Sequence, residues 1–225
     1  VPPFVGVGRE LVNRGHRVRC VGPERLRPSF EPIGVTFTPI MHGAPFDPLE
    51  PMSLGESQRA QGEVFLGPGY GLDVEAAVAA ELPDVTLIDC FLVSAQALAE
   101  RLGLRFAVLC HVLPGWLVPF WDGVLLPATN AMRERAGVSV VESLTEVWAP
   151  AARVLVTSVE VLDVEQPRLR ELGNVRYVGP VAPAVDGASA APTVSHPLVL
   201  VSFSTTALGQ GEPLRAVIVA LAGLP

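Results

Sequence analysis

Residues 83–111, PDVTLIDCFLVSAQALAERLGLRFAVLCH, constrain the fold more than any other stretch of the chain. Asp84 to Cys90 is an apolar run rich in Val, Leu and Ile. It is too short for a globular helix and has the length of a strand buried on both faces. Leu92, Ala95, Ala99 and Leu102 then recur at helical spacing, and Gly103 stands where a helix closes on a left-handed cap. Arg105 to Cys110 is a second apolar run. Strand, helix and strand predict a parallel pair joined by a crossover, and hence an α/β fold. Open α/β sheets place their ligand crevice at the carboxyl ends of such strands, and Asp89 closes the first of them. As a bare residue Asp89 is read either as a turn or helix-cap carboxylate, or as one that orients a catalytic base.

At 225 residues the chain has room for one or two domains, and its 49% hydrophobic content suits strands covered by helices. A net charge of −7 leaves no footprint for a phosphate backbone, so nucleic acid is not expected as a partner. All 16 basic residues are arginine, which together with the Ala, Gly and Pro load points to a GC-rich bacterial genome. Cys20, Cys90 and Cys110 fall at predicted carboxyl ends of strands and show no CxxC or His/Cys metal spacing. They are expected to be reduced, buried thiols in a cytoplasmic protein, with no metal. The opening Val1-Pro2-Pro3 carries no charged leader, so no secretory signal is expected. The apolar stretch 106–128 is interrupted by Pro114, Gly115, Pro119, Asp122 and Pro127, and no membrane span is expected there.

Pro2 and Pro3 suit the first turn of a helix that Gly15 ends, and His16 to Val21 reads as a strand. A doubly wound sheet starts with a strand before such a helix, so the sequence is expected to begin one element late. Gly6-Val-Gly8 followed by Glu24 invites a dinucleotide-binding reading, but the third glycine of that pattern falls on Leu11. A short helix over Arg25 to Glu31 and a strand over Val35 to Ile40 follow. From Met41 to Tyr70 the periodicity collapses, which predicts a long loop whose Phe46, Met52 and Phe65 close over a hydrophobic small molecule. Leu72 to Leu82 is an Ala-rich helix. Beyond His111, a Pro/Gly-broken segment carries Trp116, Phe120 and Trp121, either as core or as a wall of the crevice. Ala128 to Ala136 is helical up to Gly137, and Ser139-x-x-Glu142 reads as the capping box of a helix through Trp148. Val154 to Thr157 and Val175 to Val178 are further strands. Pro180 to Pro197 has almost no charge and no periodicity and marks a linker, after which Leu198 to Phe203, a polar turn and a helix over Glu212 to Leu221 follow.

Four segments together, RELVNRGHRV at 9–18, LIDCFLVSAQALAERLG at 87–103, RYVGPV at 176–181 and LVLVSFSTT at 198–206, resemble GT-B glycosyltransferases. The likeness is greatest to the bacterial macrolide and enediyne enzymes of natural-product and antibiotic biosynthesis. It implies Rossmann-like domains: residues 1–179 binding the acceptor, with the first strand missing, 180–197 as linker, and 198–225 as the first βα unit of a nucleotide-sugar domain. The implied reaction moves a sugar, with inversion, from a TDP- or UDP-sugar to a hydroxyl of a polyketide- or enediyne-like acceptor, without a further cofactor; a homodimer is one expected assembly. The family's base is a histidine whose place falls just before Val1, and Asp89 matches the carboxylate that orients it. His111, Phe46, Met52, Phe65, Trp116, Phe120 and Trp121 are expected on the acceptor, and Ser204, Thr205, Thr206 and Gln210 on the donor diphosphate. The chain alone is then expected to transfer no sugar. Two other readings stand beside this one: a catalytically silent small-molecule-binding or auxiliary protein of the same fold, and a dinucleotide-dependent oxidoreductase.

Overall fold

The computed structural model describes residues 2–47, 50–181, 199, 201 and 210–222. Most of the expected strand over Leu198 to Phe203 and donor residues Ser204, Thr205 and Thr206 therefore lie outside the described residues, as does most of the 180–197 linker. The chain forms two compact units, one of residues 1–45 with 63–184 and one of residues 46–62 with 185–225.

The first unit opens with helix α1, Pro2–Asn13, followed by strand β1, Arg19–Gly22, short helix α2, Arg27–Phe30, and strand β2, Thr36–Pro39. β1 and β2 pair in parallel around a small core of Val5, Phe30, Val35 and Phe37. Gly6 and Gly8 lie inside α1 rather than in a phosphate-binding turn, which removes the dinucleotide reading of that pair. Gly8 is instead a packing position: a Cβ there would stand 3.3 Å from the Val35 side chain.

The main sheet is four-stranded and all parallel, in the order β3 Thr86–Asp89, β4 Phe106–Cys110, β5 Arg153–Val156 and β6 Val175–Tyr177. The described strands thus form two parallel sheets, and β1 does not pair with β3. β1 is tied to the helix before β3 instead: Arg19 Nη2 donates to the carbonyls of Ala77 (2.7 Å) and Glu81 (3.0 Å) at the end of α4, Gly69–Ala80. A guanidinium there satisfies orphan carbonyls and complements the helix dipole.

Helix α5, Val93–Arg101, links β3 to β4 and ends before Gly103 at φ 63°, as its sequence requires. Every residue from Val93 to Ala99 is buried, and its alanines let α5 pack closely on α4 and on α7, Leu126–Ala136, and α8, Leu144–Trp148. Ile88, Val108, Val154 and Val156 of the strands join Trp121 and Trp148 in one core. Burying each such side chain stabilises the fold by about 2–3 kcal/mol.

Three expectations are corrected. The stretch from Met41 to Tyr70 is not one loop, since helix α3 spans Leu54–Leu66. Its start is a capping box in which the Ser53 backbone N–H and hydroxyl donate to Glu56 Oε2 (2.9 and 2.6 Å), while Glu56 N–H donates to Ser53 Oγ (3.3 Å). The Pro/Gly-broken segment after His111 is also a helix, α6, Pro114–Val124, because Pro114 occupies its first turn and costs no bond there. Its amino end is held by Asp163, whose two carboxylate oxygens accept the Gly115 N–H at 3.1 Å; Tyr177 donates its hydroxyl to the same carboxylate at 2.6 Å. Finally, the cap of α8 is Ser143 and not Ser139: Ser143 Oγ accepts the Thr145 N–H, and Glu146 Oε2 reaches back to the Glu142 N–H at 3.0 Å.

Short helix α9, Pro167–Glu171, precedes β6. In the second unit, the first part of α3 buries Ser57, whose hydroxyl accepts from Gln61 at 2.9 Å, and helix α10 runs over Gly211–Ala222, where the sequence predicts one. Among the described residues no helix is long and apolar enough to cross a membrane.

Candidate active site

The carboxyl ends of β3 and β4 carry the chemistry. The parallel register pairs Asp89 with Leu109, so Cys90 follows opposite Cys110 and His111 stands one residue further on. Gln96 of α5 fixes the β3 tip by donating through Nε2 to the carbonyls of Asp89 (2.9 Å) and Cys90 (3.2 Å). The Asp89 carboxylate is held on both sides: Oδ1 accepts the Phe91 N–H at 3.0 Å, and Oδ2 lies 3.0 Å from His111 Nε2. The Asp89 and His111 side chains are 23% and 29% exposed, so the pair is partly desolvated but still open to a small molecule.

With the proton on Nε2, the imidazole donates to Asp89 and keeps Nδ1 as its proton-accepting nitrogen. A carboxylate that fixes the tautomer and balances the imidazolium is the support a general base needs.

An aromatic cluster adjoins this pair. Phe91 stacks on Phe65 (centroids 4.6 Å apart) and lies 6.2 Å from Trp121, while its ring meets His111 edge-on at 5.4 Å. Trp121 is fully buried and donates Nε1–H to Thr129 Oγ1 at 2.9 Å, so it backs the cluster and does not form its surface. Of the expected acceptor residues, the fold therefore gathers Phe65, His111 and Trp121. Trp116 and Phe120 stack on each other (5.4 Å) and are 61% and 44% exposed on α6, outside the cluster. Phe46 and Met52 belong to the second unit, as does Gln210. Phe91, Gln96 and Cys90 were not singled out from the sequence as site residues. The signal for Phe91 is its position, an aromatic two residues past the strand-tip aspartate.

The loop after β2 is anchored by Asp73 of α4, a buried carboxylate that accepts the backbone N–H groups of Met41 (2.8 Å), His42 (3.0 Å) and Gly43 (2.7 Å). Gly69 lets α4 approach that loop, since a Cβ there would stand 2.1 Å from the His42 carbonyl oxygen. Asp73→Ala is expected to cost about 3 kcal/mol, because hydrogen bonds to a charged acceptor contribute about 1.5–3 kcal/mol each and the freed amides are only partly resolvated. Urea denaturation checks this, and a loss below about 1 kcal/mol would mean that the loop holds its shape without the carboxylate.

The thiols are all free. Cys20 lies within β1 and burial pushes it up to about 11, whereas Cys90 and Cys110 stand at the tips of β3 and β4 with no exposure. Burial, and next the neighbouring Cys110 thiol, push Cys90 well above the usual thiol range.

This arrangement of parallel strands, flanking helices and a strand-tip site has the fold of the GT-B glycosyltransferases, as the sequence resemblance implied. The glycotransferase of kitacinnamycin superposes with a TM-score of 0.62 at 23% identity, covering 85% of this chain and 51% of its own. The calicheamicin glycosyltransferase gives 0.58 at 15% identity, covering 86% and 52%. The spinosyn forosaminyltransferase gives 0.52 at 18% identity, covering 73% and 44%. The chain thus spans about half the length of the solved structures it matches. No family model and no curated protein matches the sequence.

Proposed function

We propose that the chain supplies the acceptor-binding part of an inverting glycosyltransferase, which moves a sugar from a TDP- or UDP-sugar to a hydroxyl of a hydrophobic natural product. The observation that carries this reading is the Asp89 carboxylate, pinned by the Phe91 N–H and paired with an imidazole beside an aromatic cluster. The fold neighbours, glycosyltransferases of natural products by name, support the same class of reaction.

In this mechanism the acceptor lies against Phe91 and Phe65 with its hydroxyl at the imidazole. The imidazole takes the hydroxyl proton as the oxygen attacks the anomeric carbon, and Asp89 holds the ring and balances the imidazolium. Inversion follows from a single in-line displacement. Among the described residues the imidazole on Asp89 is His111, a residue that the family resemblance gives to the acceptor pocket. Departure of the nucleoside diphosphate requires amide or hydroxyl donors, a role for Ser204, Thr205, Thr206 and Gln210.

The test is a transfer assay with TDP- and UDP-sugars and a panel of polyketide aglycones, run on a protein that also supplies a full donor-binding domain. A product with inverted anomeric configuration is expected; a retained configuration, or no product with any pair, counts against the reading. Acceptor binding is measured separately, on this chain by itself. Phe91→Ala is expected to weaken an aromatic aglycone by about tenfold, the equivalent of one ring contact of about 1.4 kcal/mol. Isothermal titration checks it, and an unchanged affinity would remove the aromatic cluster from the acceptor site.

A further inference from the structure

We propose that Asp89, Cys90 and His111 together form a Zn²⁺ site at the tips of β3 and β4. The sequence shows no metal spacing, because the ligands lie on two strands and meet only through the parallel register. A carboxylate oxygen, the Cys90 thiol and an imidazole nitrogen all stand within 4.8 Å of one another.

The geometry is close to what the ion requires. Asp89 Oδ2 and His111 Nε2 are 3.0 Å apart. Zinc bonds of about 2.0–2.1 Å to nitrogen and oxygen set a tetrahedral edge of about 3.3 Å. A zinc–sulfur bond of about 2.3 Å sets edges to the thiolate of about 3.6 Å, so from a separation of at most 4.8 Å Cys90 closes in by about 1.2 Å at most. Mixed sulfur, nitrogen and oxygen donors favour zinc over the hard cations magnesium and calcium. Three protein ligands leave a fourth position for water, on the side where the Asp89 and His111 side chains remain partly exposed.

The surroundings are those of an oriented site. Asp89 Oδ1 is held by the Phe91 N–H, the Cys90 N–H bonds the Leu109 carbonyl at 3.1 Å, and Gln96 grips the carbonyls of both Asp89 and Cys90. Such outer contacts fix the ligands before the ion arrives. Binding replaces the Asp89–His111 hydrogen bond with two metal bonds: the imidazole proton passes from Nε2 to Nδ1 by way of solvent, leaving the ring neutral, and the Cys90 thiol proton is released to solvent. No electron transfer is involved. Where the proposed glycosyl transfer holds, an occupied site withdraws both members of the proton-accepting pair, so zinc acts there as an inhibitor; metal binding itself does not depend on that function.

The test titrates the reduced chain with Co²⁺, a spectroscopic stand-in, and then displaces it with Zn²⁺. One equivalent is expected to bind, with thiolate-to-cobalt charge transfer in the near ultraviolet and visible bands of tetrahedral intensity. Cys90→Ser should abolish the charge-transfer band, and His111→Gln, at the surface and harmless to the core, should weaken binding by about 100-fold. Cys20→Ser and Cys110→Ser should leave the band in place. A wild-type chain that binds no stoichiometric metal, or binds it without a thiolate band, overturns the proposal. So does a band that survives Cys90→Ser or an affinity indifferent to His111→Gln. Loss of transfer activity without these spectra would bear on the glycosyltransferase reading alone.

Discussion

Replacing Asp89 by Asn, in a protein that also carries a full donor-binding domain, is expected to lower kcat by about 10² to 10⁴-fold, the range a positioned general base contributes. The amide keeps the shape of the carboxylate and can still accept the Phe91 N–H, but it no longer selects the tautomer or balances the imidazolium. His111→Gln separates two roles. If His111 takes the proton, kcat falls as far as it does in Asp89→Asn, and the double variant is little worse than either single one. If His111 only lines the acceptor pocket, KM rises and kcat holds within about threefold. The short Asp89–His111 contact points to the first outcome.

Glu100→Ala is expected to destabilise the fold by about 3–5 kcal/mol, the cost of stranding a buried charge. Arg133 of α7 is 2% exposed, and its Nη2 donates to both carboxylate oxygens of Glu100 on α5, at 3.0 and 3.2 Å. Nε donates to the Ser139 carbonyl at 2.7 Å, and the buried Nη1 has no partner among the described residues. Without Glu100 the guanidinium keeps one neutral acceptor for its charge. The double change Glu100→Leu with Arg133→Met removes both charges and should return stability to within about 1 kcal/mol of wild type, since apolar replacements of buried pairs are often neutral. Urea denaturation of the single and double variants decides it. A Glu100→Ala loss below about 1 kcal/mol would show that the guanidinium finds water.

The strand–helix–strand unit was legible because each element carries a strong local signal: two apolar runs of strand length, small apolar residues at helical spacing, and Gly103 at a position with φ 63°. Helix α3 was not, since Gly55 and Gly62 dilute its periodicity, although Ser53 and Glu56 already spelled its cap. The helix at Pro114 was obscured for the opposite reason, prolines being read as breakers where one of them starts the first turn. Asp89 was identifiable from its place at a strand end. Its partnership with His111 and Cys90 was not, because 22 residues separate Asp89 from His111 and only the pairing register brings them together. The same holds for Phe91 and Phe65, which stack across a separation no local pattern spans.

The account rests on an acceptor hydroxyl meeting the imidazole held by Asp89. A crystal structure of this chain with a bound polyketide aglycone measures that directly. A hydroxyl oxygen within about 3 Å of His111 Nδ1, with the aglycone ring against Phe91, is the expected result. An aglycone seated away from the β3 and β4 tips, or one whose hydroxyls all point away from the Asp89–His111 pair, would contradict it.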